Sequence, residues 1–117
     1  MVREIVFYRT HLGRSPIEDF LDALPAKRAK KVAWVLQLVE ELNVVPTRYF
    51  EKMAGTQDLW EIRVRTGADL YRLLGFCDGP RLVVLAHAIQ KKTRKIPRQA
   101  IRLAEERKRE YFQRRGK

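Results

Sequence analysis

The chain has 117 residues, 45% of them hydrophobic and 9% aromatic, which is enough for one folded domain with a modest core and excludes a disordered polypeptide. Its formal net charge is +11, and the excess is placed unevenly. Residues 91–117 hold 12 Lys and Arg against 3 Asp and Glu, whereas the first 90 hold 13 against 11, an asymmetry that points to nucleic acid or an acidic partner.

Further exclusions follow from particular residues. The longest apolar runs, such as Leu82 to Ile89, are too short to span a bilayer. Cys77 is the single cysteine, so no internal disulfide is possible. With it, His11 and His87 make no plausible zinc ligand set. Arg3 and Glu4 precede a short apolar run without a cleavage signal, so a reducing, cytoplasmic setting is expected, with no membrane and no cofactor.

Residues 2–9 read as a first strand. Ser15-Pro16-Ile17-Glu18 reads as a helix start, with Ser15 as cap, Pro16 at the first helical position and Glu18 closing a capping box. That helix is expected to stop near Pro25. A second is expected from Ala26 to Leu42, burying Val32, Val35, Leu36, Val39 and Leu42 at helical spacing. Lys27, Arg28, Lys30 and Lys31 crowd its first turns, where the helix dipole disfavours cations, so they serve binding or are simply solvated.

Tyr49 to Met53 reads as a short strand. Leu59–Thr66, Asp69–Cys77 and Leu82–Gln90 read as three clearer ones, joined by Gly67-Ala68 and by Asp78 to Arg81. A last helix is expected from about Pro97 to Gln113, with Ala100, Ile101, Ala104 and Lys108 along one side. Residues 113–117 are expected to fray.

A two-residue turn at Gly67-Ala68 pairs Thr66 with Asp69, Val64 with Tyr71 and Arg63 with Arg72. A four-residue loop over 78–81 pairs Cys77 with Leu82 and Arg72 with His87. Arg63, Arg72 and His87 then form one row across three strands. The opposite face collects Trp60, Ile62, Val64, Tyr71, Leu73, Gly75, Val84, Ala86 and Ala88, apolar or small as needed under two helices. Like charges placed opposite one another destabilise a sheet, and Leu70 and Leu74 flank Arg72. The row is therefore either a functional site or a network neutralised by Glu61 and Asp69. Behind the last strand, four cations lie between Lys91 and Lys95.

These residues fit cleavage of RNA by its own 2′-hydroxyl. Arginine forks suit phosphate oxygens, and lysine or histidine crowded by cations can reach the range for proton transfer. DNA lacks the hydroxyl and would be spared.

Three segments carry a resemblance. Leu59-Trp60-Glu61-Ile62-Arg63, then Asp69-Leu70-Tyr71-Arg72, then Lys91-Lys92-Thr93-Arg94-Lys95-Ile96-Pro97 ahead of a helix with Ala104 and Arg107, resemble the phage-derived branch of RelE/HigB-like toxins. Ser15 to Leu21 is similar as well, and the likeness runs over residues 3–112. It implies an α/β (α+β) RelE-like fold over the single domain 1–117: a mainly antiparallel sheet of four or five strands, two N-terminal helices on one face and a basic C-terminal helix.

It also implies the toxin of a type II toxin–antitoxin pair, a ribosome-dependent mRNA endoribonuclease. The implied partners are mRNA, the ribosome and a helix-turn-helix antitoxin. By position Arg63, Arg72, Lys92 and Lys95 are catalytic candidates; His87 joins them from the strand row, since some relatives place other residues there. Lys52, Arg65, Lys91, Arg94, Arg98 and Arg102 are candidates for RNA contact, and Tyr111 stands where some relatives carry a tyrosine. A non-catalytic RNA- or ribosome-binding protein, or an inactive toxin-like domain that binds an antitoxin, is the competing reading.

Overall fold

The computed structural model describes residues 2–90 and 95–116. Strand β1 (Glu4–Phe7) leads into helices α1 (Pro16–Asp22) and α2 (Ala26–Glu41). Strands β2 (Phe50–Lys52), β3 (Leu59–Thr66), β4 (Asp69–Asp78) and β5 (Leu82–Gln90) follow, and helix α3 (Arg98–Arg115) ends the chain. The five strands form one sheet in the order β1-β5-β4-β3-β2. Only β1 runs parallel to its neighbour β5; the other pairs are antiparallel. This is the expected α/β architecture.

Helices α1 and α2 cover one face. Ile17, Val32, Val35, Leu36 and Val39 pack there on Ile62, Val64, Tyr71, Leu73, Val83 and Leu85. Helix α3 covers part of the other face, where Ala100 and Ala104 rest on Leu59, Leu74, Phe76, Val84 and Ala86. Two alanines at the contact let the helix lie close to the sheet.

Ser15 caps α1 by accepting from the Glu18 N–H at 3.2 Å, with Pro16 at the first position. The second half of the expected capping box is not made. Both Glu18 carboxylate oxygens instead take Arg9 Nη2 at 3.1 Å, a charge-assisted bond stronger than one to a neutral amide. The C-terminus of α2 is closed by Arg3, which donates to the carbonyls of Val39, Leu42 and Asn43 at 2.7 to 3.0 Å. The Val39 carbonyl is one that a helix end leaves unsatisfied, and those of Leu42 and Asn43 belong to the cap and the residue after it. Leu42, expected in the core, falls beyond the last turn and is 38% exposed.

The first hairpin has the expected register, Thr66 with Asp69 and Arg63 with Arg72, around Gly67 at φ +61°. The second differs. Asp78 pairs with Leu82, so the loop holds three residues rather than four, and Cys77 faces Val83. A bulge at Leu74/Gly75 then adds one residue, Ala86, to the β5 side. The two offsets combine so that His87 pairs with Leu74, and Arg72 pairs with Ile89. The row of three therefore does not form, although His87 stays on the same face as Arg72. Between the loop and the bulge the faces are exchanged. Val84 and Ala86 point to α3, and Val83 and Leu85 take the places expected for them under α1 and α2.

Gly75 makes the bulge possible, since a Cβ there would collide with the carbonyl oxygen of Val84. Arg107 satisfies the bulge from the other side, donating to the Ala86 carbonyl at 2.7 Å. The last turn of α3 is also held. The helix continues to Arg115, into the stretch expected to fray. Arg115 Nε sits 2.8 Å from Asp78, and Arg114 donates to the Arg9 carbonyl at 2.5 Å.

Gly75→Ala is expected to lower stability by about 2 kcal/mol through backbone overpacking, read as a lower urea midpoint at unchanged m-value. A change below about 0.5 kcal/mol would contradict the close approach of Val84.

Candidate functional site

Helix α3 starts at Arg98 and covers the sheet toward Asp78, so the end of the sheet near Arg63 and Arg72 stays open. Two cavities lie there. One, of about 750 Å³, is lined by Glu51, Lys52, Glu61, Arg63, Arg72, Lys95, Arg98 and Ile101 among others. The second, of about 770 Å³, is lined by Lys31, Arg48, Tyr49, Arg63, Arg65 and Arg72 with Gly67 and Leu70. Arg63 and Arg72 belong to both, so they stand at the middle of one continuous groove.

The two arginines share a carboxylate. Glu61 lies 3.5 Å from Arg63 Nη1 and 3.3 Å from Arg72 Nη1. Period-two alternation puts Glu61 and Arg63 on one face of β3, and the hairpin register brings Arg72 directly opposite Arg63. Arg72 is 5% exposed and Glu61 equally enclosed, so the pair is out of water. Glu61 Oε2 is buried and accepts no hydrogen bond among the described residues. Arg63 is more accessible, donating to the Thr47 carbonyl at 2.5 Å and to Glu51 at 2.7 Å.

Burial pushes the Glu61 carboxyl above the usual glutamate range; the charges of Arg63 and Arg72 oppose that rise and Glu51 adds to it. Burial also pulls His87 below the usual histidine range, and the positive charge of Arg107 adds to this. At neutral pH His87 is therefore an uncharged imidazole.

The sequence-derived candidates divide as follows. Arg63, Arg65, Arg72, Lys95 and Arg98 line the groove. Lys52 reaches its rim, but it shares a strand face with Phe50 and pairs with Asp58 at 3.0 Å. His87 lies diagonally from Arg72 beside Leu74 and lines neither cavity among the described residues. Arg102 is exposed on α3, outside both linings. Lys91, Lys92 and Arg94 lie outside the described residues. Tyr111 is at the other end of the sheet, donating to Asp78 at 2.8 Å and packing on Phe76. Six strand steps separate Asp78 from Arg72, about 20 Å.

Glu61 is more than the neutraliser expected of it, and Arg48 and Tyr49 join the groove without a motif that marks them. The signal for Glu61 was its place two residues before Arg63. The signal for Tyr49 was the edge pairing: its carbonyl accepts from the Arg63 N–H at 2.8 Å, which draws the preceding loop against the groove. Asp69, the other expected neutraliser, forms a close ion pair with Arg28 of α2.

Five strands carry helices on both faces, and a cationic groove lies where the last helix falls short. Residues 19–109 match the family described as phage derived protein Gp49-like (DUF891). The chain belongs to this Gp49-like family, which is part of the RelE/HigB-like toxin superfamily. The match includes α2, all of β2 to β5 and the first two thirds of α3. No curated protein matches the chain. Among the described residues, no helix is long and apolar enough to cross a membrane.

Because the Glu61 carboxyl titrates higher folded than unfolded, the stability it contributes is complete below the unfolded pKa and is lost as pH rises through the folded one. Glutamine mimics the protonated form. The Tm of the wild type minus that of Glu61→Gln is therefore expected to fall from pH 4 to pH 7. A difference that rises over that interval would show that the arginines outweigh burial.

Proposed function

We propose that the protein is the toxin of a type II toxin–antitoxin pair and cuts mRNA, with the reaction held at Arg63 and Arg72. The observation that carries this reading is the direct pairing of those two arginines around one buried carboxylate inside an open groove. Family membership supports the toxin class. The proposed setting is the cytoplasm, with messenger on the ribosome as substrate and a helix-turn-helix antitoxin as the partner that blocks the groove.

The chemistry assigned to the site needs no metal ion. The 2′-oxygen of one nucleotide attacks the adjoining phosphorus, forming the O2′–P bond, and the P–O5′ bond breaks. The products are a 2′,3′-cyclic phosphate and a 5′-hydroxyl. Arg63 and Arg72 take the non-bridging oxygens, where charge grows in the transition state. Glu61 holds the two guanidinium groups together, and as the carboxylate between them it is assigned the 2′-hydroxyl proton. Lys95 supplies the proton to the departing 5′-oxygen. Arg65 and Arg98 hold flanking phosphates.

Binding without cutting is the second reading. It is favoured by the engagement of both arginines with acids, since Glu61 and Glu51 already occupy part of their donor capacity.

Arg63 is the better residue for a test. Arg72 is buried against Glu61, and removing it would leave that buried carboxylate with Arg63 alone, a loss that puts the fold itself at risk. Arg63→Ala is expected to keep the fold and to lower the cutting rate about 100- to 1,000-fold. Primer extension on a defined messenger, with and without translating ribosomes, reads this. Cuts within codons that disappear in the variant fit the nuclease. A correctly folded wild type that binds RNA and leaves it intact under both conditions decides for binding alone.

A further inference from the structure

The groove does not end at Arg65. Arg65, Lys31 and Gly67 also line a third cavity, of about 460 Å³, with Lys27, Lys30 and Thr66. The cations at the start of α2 are therefore continuous with the reacting arginines. An aromatic pair lies beside this path. Trp34 on α2 is 46% exposed, although large aromatics are usually covered. It meets Tyr49 edge-on, with ring centres 6.1 Å apart. Each ring carries a cation: Lys31 Nζ lies 4.7 Å from the Trp34 ring centre and Arg48 Cζ lies 4.9 Å from that of Tyr49. Lys31, Arg48 and Tyr49 all line the groove.

We infer that Trp34 and Tyr49, with Lys31 and Arg48, form a stacking subsite for an unpaired base of the RNA strand beside the phosphate held at Arg63 and Arg72. This rests on the function proposed above and adds which part of the substrate is read and where. Two π faces with cations against them suit single-stranded nucleic acid: bases stack on the rings and the phosphates between them meet Lys31, Arg48 and Arg65. A duplex offers no free base face. The subsite therefore selects unpaired RNA, and because stacking accepts every base it gives little sequence preference. Lys27 and Lys30 carry the strand onward along α2.

The probe is a single-stranded hexanucleotide with 2′-O-methyl sugars, which cannot be cut because the attacking hydroxyl is blocked. Binding is read by anisotropy of the labelled strand. It is also read by fluorescence of Trp34 in a Trp60→Phe background, which leaves Trp34 the only tryptophan. Binding is expected to quench Trp34. Trp34→Ala is expected to weaken binding about five- to a hundredfold. Lys31→Ala and Arg48→Ala are each expected to lower the slope of log affinity against log salt by about 0.7. On programmed ribosomes Trp34→Ala is expected to raise the half-saturating toxin concentration similarly and to leave the maximal rate within about twofold.

Trp34→Ala binding within twofold of wild type, while Arg63→Ala loses binding, overturns the subsite and leaves the proposed function standing. A wild type that does not bind the hexanucleotide, with ribosomal cutting unchanged in Trp34→Ala, overturns it as well. Quenching of Trp34 by poly-glutamate but not by the hexanucleotide assigns the face to an acidic protein and likewise overturns it.

Discussion

Two arginines facing each other across neighbouring strands repel, and only an acid between them makes that register favourable. Glu61 is that acid, and its position is not adjustable. It is fixed on the same strand face as Arg63 by alternation, and it is enclosed by the sheet on one side and the groove walls on the other. A buried ion pair is weak evidence of stabilisation, because desolvation consumes much of the Coulomb gain. What such a cluster does supply is direction. Each guanidinium is held by a charge that cannot leave, so both point into the same space before any substrate arrives. Preorganised donors of this kind stabilise a developing charge without reorganising during the reaction.

The helices sharpen this electrostatic picture. Helix α1 has the usual N-terminal chemistry, with a serine cap and acids Glu18 and Asp19 in its first turn. Neither α2 nor α3 follows it. Both start after a proline, make no side-chain cap and carry no acid in the first turn. Residues at the start of α2 and of α3 line the two ends of the same groove. Two positive helix ends, left without acids, thus add to a field already set by arginine and lysine. The local cost in helix stability is spent where an anion would recover it.

The sheet was legible in the sequence where turn chemistry and alternation agree. Gly67-Ala68 allows one tight turn, and apolar residues at Ile62, Val64, Tyr71 and Leu73 allow one face, so the β3–β4 register followed. Asp78 to Arg81 allowed loops of two lengths, and nothing in the sequence marked Asp78 as a strand residue held by Tyr111 and Arg115. The bulge was hidden for a different reason. Gly75 fits an ordinary strand pattern, and its purpose is visible only once Val84 approaches it. Because one added residue reverses a strand face, the error moved Val84 and displaced His87 from Arg72. The groove itself was half legible. Its cations could be counted, but the contribution of Arg48 and Tyr49 depends on how the loop before β2 folds against Arg63, which no local pattern specifies.

The acids in the groove are not equivalent, and this decides how a phosphate could enter. Glu51 is half exposed, and its pair with Arg63 is a surface ion pair, worth about 0–1 kcal/mol. Water or another anion can replace it at little cost. Glu61 has no such freedom, since withdrawing it would leave two buried or half-buried guanidinium groups without their shared counter-charge. Under the proposed function, a phosphate entering the groove would displace Glu51 from Arg63 and leave Arg63 and Arg72 on Glu61. On that reading the half-exposed Glu51 holds Arg63 in orientation until the substrate replaces it, and the enclosed Glu61 keeps the two guanidinium groups together throughout.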